Sequence, residues 1–192
     1  MPGPKKIALF GGSFDPVHLG HVAIASAAKE RCHLDRVVFL PCWQSPHKSE
    51  RAPKASGNQR ATMLELATRD LPWAEISRWE LERTSPSYSW MTAEHYSGLF
   101  PEAELFWILG ADQWRALDRW AEPKKLADLL TFIVFPRGDD PLLDGFAQHI
   151  SIDVRHPASS TEIRRGLADG KELGSMLAPE VADYIKKEQP YQ

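Results

Sequence analysis

Short, continuously apolar segments alternate with segments of helical composition along most of the chain, and this alternation restricts the fold more than any other feature. The apolar segments are rich in β-branched and aromatic residues, as strands buried on both faces are. We predict strands over 6–10, 35–41, 74–81, 104–110, 131–136 and 149–154. We predict helices over 21–31, 58–71, 89–100, 159–170 and 179–187, with a helical pair over 112–130. Such a succession is typical of a parallel sheet covered by helices on both faces.

The predicted fold class is therefore α/β, as one doubly wound, Rossmann-like domain over residues 1–192 with a mainly parallel sheet and a C-terminal helical part from about residue 158. A chain of 192 residues can bury one substantial core, and its 43% apolar and 26% charged residues are usual for a globular protein. Two polar stretches, Cys42–Gly57 and Pro136–Gly145, break the pattern. Such loops commonly serve binding, so we predict that Cys42–Gly57 is a mobile loop.

Charge and hydropathy argue against two classes of partner. The net charge is −3 and no run of more than two lysines or arginines occurs, so no nucleic acid partner is predicted. The longest apolar stretch, at 130–135, is far below the roughly 20 residues that a membrane span needs, so no membrane partner is predicted. Met1–Lys6 lacks the apolar run of a secretory signal, and Cys32 and Cys42 are the two cysteines. These features predict a cytoplasmic location.

The stretch after the first predicted strand, GGSFDPVHLGH at Gly11–His21, has the composition of a phosphate site. In an open parallel sheet, ligands bind beyond the carboxyl ends of the strands, which is where this stretch begins. Glycines let a ligand approach the backbone closely, and amides at a helix start attract anions. The sequence has neither G-x-G-x-x-G nor G-x-x-x-x-G-K-[ST], which argues against dinucleotide-dependent hydride transfer and P-loop chemistry.

Two histidines, His18 and His21, are three positions apart in this stretch. If the helix begins here, their side chains share one face of its first turn. Imidazoles in that position could donate hydrogen bonds to phosphoryl oxygens that gain charge during a displacement. The alternative is that both histidines are merely tolerated at a helix start. No metal site is predicted, because H-x-x-H offers two ligands and no HExxH motif or cysteine cluster offers more.

A second polar segment, SSTEIR at Ser159–Arg164, has hydroxyl groups at a predicted helix start and an arginine one turn later. Hydroxyls, amides and a guanidinium in this arrangement could hold the β- and γ-phosphates of a nucleotide. An ordinary helix N-cap followed by a glutamate is the alternative.

Together, the two segments resemble the signatures of the nucleotidylyltransferase superfamily, G-x-F-D-x-x-H-x-G-H and S-S-T-x-I-R, and the resemblance extends over nearly the whole chain. The resemblance implies that His18 and His21 are catalytic. It also implies that residues of both segments bind ATP, namely Gly11, Gly12, Ser13, Phe14, His18, His21, Ser160, Thr161 and Arg164.

Three further segments resemble the branch of this superfamily that uses nicotinate mononucleotide, namely SPHK at 45–48, SPSYSW at 85–90 and GADQWRALDRW at 110–120. Serine stands at position 89 where the family usually has threonine, and either residue can cap a helix. The resemblance implies mononucleotide contacts from Asp15, His47, Lys48, Ser89, Asp112, Trp120 and Ala121. Arg137 lies just past a predicted strand end, where it could make a further contact with the mononucleotide.

The implied roles of these residues differ. His47 and Lys48 would approach the substrate phosphate, and the segment at Ser89 would bind the pyridine carboxylate through backbone donors. Asp112 would bind a ribose, while Trp120 and Ala121 would border the pyridine ring. The alternatives are a solvated surface side chain for the lysine, a packing role for the tryptophan, and an exposed loop position for the arginine at 137.

The resemblance implies transfer of AMP from ATP to nicotinate mononucleotide, giving nicotinate adenine dinucleotide (deamido-NAD) and pyrophosphate, with Mg²⁺ arriving with ATP and no covalent enzyme intermediate. Within the superfamily, the alternatives are transfer to nicotinamide mononucleotide or phosphopantetheine, and cytidylyl transfer. A non-catalytic nucleotide sensor is the alternative from another class. A homodimer is compatible with the sequence.

Overall fold

The computed structural model describes residues 3–44, 52–83, 86–136, 147–154, 156–171 and 173–191. Within them, six strands form one sheet in which all neighbouring strands are parallel. The strands are β1 (Lys6–Gly12), β2 (Arg36–Pro41), β3 (Ala74–Ile76), β4 (Glu104–Gly110), β5 (Thr131–Phe135) and β6 (His149–Ser151). Their order in the sheet is β3-β2-β1-β4-β5-β6. The predicted doubly wound α/β fold is confirmed.

The described residues also form seven α-helices, and a 3-10 helix at Leu117–Arg119. The α-helices are α1 (Leu19–Arg31), α2 (Gly57–Thr68), α3 (Ser89–Leu99), α4 (Ala111–Trp114), α5 (Pro123–Leu129), α6 (Ser160–Ala168) and α7 (Pro179–Glu188). The longest of them, α1, has 13 residues. None of the helices described is both long and apolar enough to cross a membrane.

Successive side chains of the central strand β1 enter two different apolar layers. Ala8 and Phe10 pack with buried residues of α1, α2, α6 and α7, whereas Ile7 and Leu9 pack with buried residues of α3, α4 and α5. Side chains alternate between the two faces of a strand, so a strand with helices on both faces must be apolar throughout. This explains why the strand segments are continuously apolar in the sequence.

Several predicted elements have other bounds in the structure. β3 ends at Ile76 instead of residue 81, because the Ser77 hydroxyl then accepts a hydrogen bond from the Trp79 N–H (3.3 Å), a local bond that competes with the sheet. β6 is shorter than predicted and ends at Ser151. The helical pair predicted over 112–130 is divided into α4, the 3-10 helix and α5, since Glu122 adopts a left-handed conformation (φ 53°) just before α5 begins.

The first strand is longer than predicted, because β1 continues through Gly11 to Gly12 before the chain turns towards α1. Residues 45–51 of the polar loop at 42–57 lie outside the described residues. The mobility of that loop and the single-domain organisation of residues 1–192 stay predictions.

Candidate active site

The site lies at the carboxyl ends of β1 and β4, the neighbouring strands at which the order of the sheet reverses. This is the position where open α/β sheets bind ligands. Gly11 is the next-to-last residue of β1, and a Cβ added there would lie 2.9 Å from Cζ2 of the Trp107 indole. The indole is buried in the core, so a larger residue at 11 would displace the strand that leads into the site.

His18 and His21 lie at the start of α1 and cap it reciprocally. The His21 N–H donates to Nδ1 of His18, the His18 N–H donates to Nδ1 of His21, and both distances are 3.3 Å. The two rings stack with centroids 3.7 Å apart and planes 23° from parallel. Because each Nδ1 accepts a hydrogen bond, a neutral ring carries its proton on Nε2. The helix therefore begins at Leu19, two residues earlier than predicted, and presents two imidazole donors.

Aromatic and small residues hold the histidine pair in place. The rings of Phe10 and Phe14 contact His21 edge-on, with centroids 6.0 and 5.0 Å away. A Cβ added at Gly20 would lie 3.0 Å from the His18 ring and 3.3 Å from Nδ1 of His156. Position 20 must therefore stay small for the imidazole of His18 to keep its place.

The second polar segment contacts the backbone just before the histidines. Ser160 Oγ donates to the carbonyl oxygen of Pro16 (3.0 Å), and Arg164 Nη1 donates to that of Asp15. Arg164 Nη2 also donates to Thr161 Oγ1 (3.4 Å). Ser159, the N-cap residue of α6, makes no side-chain capping bond, which disfavours the ordinary N-cap that the sequence left open. The structure thus brings together the two segments that the sequence separates widely.

Asp15 is 4% exposed and binds the backbone before α2. Its carboxylate oxygens accept from the N–H groups of Lys54 (2.9 Å) and Ala55 (3.0 Å), and Oδ2 lies 3.8 Å from Arg164 Nη1. Both oxygens therefore already have partners within the chain. The contact with the mononucleotide that the resemblance assigned to Asp15 stays a prediction.

The residues predicted to bind the pyridine half lie on separate elements. Ser89 is the first residue of α3, whose N-cap residue Tyr88 makes no side-chain capping bond. Asp112 lies on α4 directly after β4. Its side chain is exposed, and its Oδ1 lies 3.4 Å from Nη1 of Arg115. Trp120 is 9% exposed within the apolar layer of α3 to α5, and Ala121 is exposed beside it. His47, Lys48 and Arg137 lie outside the described residues, so all these contacts stay predictions.

A family model described as cytidylyltransferase-like matches residues 9–166. The probable nicotinate-nucleotide adenylyltransferase of Methylacidiphilum infernorum is 36% identical over 97% of this chain and 92% of its own. That of Thermus thermophilus is 40% identical over 95% of this chain and 97% of its own. The chain belongs to the nicotinate-nucleotide adenylyltransferase family.

Solved structures agree with this adenylyltransferase fold. The nicotinic acid mononucleotide adenylyltransferase of Plasmodium falciparum complexed with NaAD superposes with a TM-score of 0.77, covering 97% of both chains at 20% identity. The same enzyme complexed with APC gives a TM-score of 0.76. At this identity, the likeness concerns the fold alone.

Within this adenylyltransferase fold, sequence reasoning missed Arg60, a guanidinium that is only 2% exposed. It donates to the carbonyl oxygens of Ser13 (2.7 Å), Cys42 (2.8 Å) and Ala55 (3.2 Å). Burial lowers the pKa of Arg60, and the charge of Asp15 acts in the opposite direction. Arg60 therefore ties together the ends of β1 and β2 and the start of α2. In the sequence, the spacing of Arg60 from Met63 and Leu64 places it on the apolar face of a helix, which could have indicated that it is buried.

Two further residues were also missed. His156 lies near Gly20, and its Nδ1 accepts from the Ala158 N–H (3.1 Å). Tyr191 is 6% exposed, and among the described side chains its hydroxyl is the buried polar group without a hydrogen-bond partner. Burial, and secondarily the negative charge of Asp15, raise the pKa of Tyr191 well above its usual range. No local sequence pattern indicates that either residue lies beside the site.

Proposed function

We propose that this protein transfers AMP from ATP to nicotinate mononucleotide, producing nicotinate adenine dinucleotide and pyrophosphate, a step of NAD synthesis. The observation that carries the proposal is the contact of Arg164 and Ser160 with the backbone of Asp15 and Pro16, next to the histidine pair. This contact gives one site two sets of phosphate-binding groups. The identity to nicotinate-nucleotide adenylyltransferases over almost the entire chain supports the choice of substrates.

In the proposed reaction, a phosphate oxygen of the mononucleotide attacks the α-phosphorus of ATP in line. The new P–O bond forms as the bond to the β-phosphate oxygen breaks, and pyrophosphate leaves with that electron pair. The Nε2–H groups of His18 and His21 donate to the α-phosphoryl oxygens as charge redistributes over them. Donors placed in this way contribute about 10²–10³ in rate. No covalent enzyme intermediate is required.

The leaving pyrophosphate is held by the start of α6. Ser160, Thr161 and Arg164 lie within its first two turns, where backbone amides and the helix dipole favour anions. Arg164 is half-buried and already oriented by the carbonyl oxygen of Asp15. A guanidinium held before the substrate arrives loses less side-chain freedom on binding phosphate.

The described residues contain no group of three His, Cys, Asp or Glu side chains that could hold a metal ion. A divalent ion that is bound mainly by triphosphate oxygens and water needs few ligands from the protein. We therefore propose Mg²⁺ as part of the ATP complex, where it would neutralise phosphate charge. Within the described part of the site, the protein itself contributes imidazole, hydroxyl and guanidinium groups.

For the mononucleotide, the proposed ligands are the start of α3 at Ser89 for the pyridine carboxylate, Asp112 for the ribose, and Trp120 with Ala121 for the ring. Asp15, His47, Lys48 and Arg137 complete the proposed set. ATP and the mononucleotide are the proposed partners, and a cytoplasmic location is proposed.

The decisive experiment compares three acceptors. Purified protein with Mg²⁺ and ATP is supplied with nicotinate mononucleotide, nicotinamide mononucleotide or phosphopantetheine, and the adenylylated product and pyrophosphate are measured. We expect nicotinate mononucleotide to give the highest kcat/KM. A preference for phosphopantetheine would contradict the proposal. ATP binding without turnover of any acceptor would favour a nucleotide sensor. The H18A/H21A double variant, prepared in parallel, controls for contaminating activity.

A further inference from the structure

Glu80 is a buried carboxylate between β3 and α3 that the proposed reaction does not use. It is 3% exposed, and its Oε1 accepts from the Thr92 hydroxyl at 2.7 Å. Thr92 itself is completely buried. A buried carboxylate is costly unless hydrogen bonds compensate for the lost water, so these contacts determine where the carboxylate lies.

A second hydroxyl, that of Ser87, lies near enough to the Glu80 carboxylate to lower its pKa. Ser87 Oγ accepts a hydrogen bond from the Trp43 N–H (3.2 Å), and the Ser87 N–H donates to the carbonyl oxygen of Gln44 (3.0 Å). Ser87 therefore connects the residues before α3 to the segment that follows β2, beside Glu80.

These contacts surround the start of α3. Ser87 lies two residues before Ser89, and Thr92 lies in the first turn of the same helix. Through Thr92, Glu80 thus holds the first turn of α3, next to the amides at this helix start. Burial raises the pKa of Glu80, while the hydrogen bond from Thr92, the nearby Ser87 hydroxyl and the charge of Arg83 lower it.

We infer that Glu80 is a positioning residue, which through Thr92 fixes the start of α3 for recognition of the pyridine carboxylate. The inference rests on the proposed function, because it concerns the acceptor half of that site. Glu80 does not contact substrate in this assignment. Its effect passes through the first turn of α3 and the backbone amides there.

The test compares T92V and E80Q with wild type. T92V removes the hydroxyl while keeping the side-chain shape, and we expect the KM for nicotinate mononucleotide to rise about tenfold, as the loss of one buried hydrogen bond allows. E80Q retains a carbonyl oxygen that can accept from Thr92, so we expect a smaller rise. The KM for ATP should change by less than about twofold in both variants.

Two further readouts separate positioning from a general loss of folding. The ratio of kcat/KM for nicotinate mononucleotide to that for nicotinamide mononucleotide should fall in T92V, since a displaced helix start loses its advantage for the acid. Calorimetric binding of ATP should be unchanged, which identifies folded protein. E75Q is the matched control, because Glu75 is a half-buried glutamate on β3 that pairs with Arg36 at 2.6 Å, and its kinetics should equal those of wild type.

If the variants keep the wild-type acid preference, or if both KM values rise together, the inference is wrong. Reduced thermal stability with unchanged kinetics would also overturn it. Should wild-type protein fail to adenylylate either pyridine mononucleotide, the proposed function is refuted and the inference falls with it. An active wild type beside kinetically unchanged variants refutes the inference alone.

Discussion

Arg164 donates a hydrogen bond to the carbonyl oxygen of Asp15, which is 149 positions earlier in the sequence. The bond joins the helix start proposed to hold pyrophosphate with the turn that carries the histidines. It is made within the protein alone, so the two halves of the proposed ATP site are assembled by the fold. We expect the proposed site to depend on Arg164 both for charge and for alignment.

Replacing Arg164 by alanine should raise the KM for ATP by about 10- to 100-fold, because charge-assisted bonds to phosphate are strong. Initial-rate kinetics with varied ATP measure this effect. R165A is the matched control, since Arg165 is the exposed neighbour on the same helix. An equal KM for ATP in R164A and wild type would remove Arg164 from the site.

The H21A variant should lose about 10²-fold or more in kcat while retaining the fold and much of the ATP affinity. The loss of one imidazole donor at the α-phosphoryl group is the reason. Single-turnover assays and ATP calorimetry separate the two effects. H33N provides the control, because His33 is exposed, lies away from the site and has a left-handed φ of 51° that asparagine tolerates. Near-normal turnover of H21A would exclude His21 from the chemistry.

The G20A variant should fold but lose kcat, because the new methyl group would lie 3.0 Å from the His18 ring and would shift it by a few tenths of an ångström against the His21 ring. We expect a loss of up to about tenfold, since positioning errors near 1 Å cost up to about 10² in rate and this shift is smaller. The control is G98A on α3, where an added Cβ has no neighbour within 4 Å among the described residues. Equal turnover of both variants would contradict the steric argument.

Replacing Arg60 by methionine should lower the free energy of unfolding by about 3 kcal/mol or more, because three carbonyl groups in buried or part-buried bonds lose their donor and Asp15 loses a nearby positive charge. Urea denaturation measures the change. R69M should cost less than about 1 kcal/mol, since the pair of Arg69 with Glu180 is largely exposed. Similar losses of unfolding free energy in R60M and R69M would show that the buried bonds of Arg60 contribute no more than an exposed ion pair.

The pH dependence of stability should include a contribution from Asp35. Its Oδ2 accepts from the N–H groups of Lys6 (2.9 Å) and Lys5 (2.7 Å), and these bonds lower the pKa of Asp35. A carboxyl whose pKa is lowered in the folded state stabilises the fold at pH values above its unfolded-state pKa of about 3.9. This stabilisation is lost as the pH falls through the folded-state pKa. The stability difference between wild type and D35A, measured in urea, should therefore shrink between pH 7 and pH 3. A constant difference would contradict this assignment.

The strands and the position of the histidine turn could be predicted because both depend on local pattern. Continuous apolar segments correspond to strands such as β4, whose side chains enter two buried layers. The end of β3 could not be predicted, since it depends on the Ser77 hydroxyl bonding the Trp79 N–H instead of facing solvent.

The supporting residues of the site were less accessible to sequence reasoning. Arg60 acts through three carbonyl groups that come from distant parts of the chain, and only the folded arrangement brings them within reach. Glu80 and Tyr191 are ordinary polar residues in the sequence, and their importance follows from burial. A sequence motif indicates which side chains can take part in the reaction. Which residues position those side chains depends on tertiary contacts.

The histidine turn continues directly from β1, which is paired on both sides and whose residues Ile7, Ala8 and Leu9 are fully buried. Amides in such a strand should exchange with deuterium only when the whole molecule opens. The α6 half of the proposed ATP site, in contrast, follows the edge strand β6. We therefore expect local opening at the start of α6, and not motion of the two histidines, to set the rate of product release.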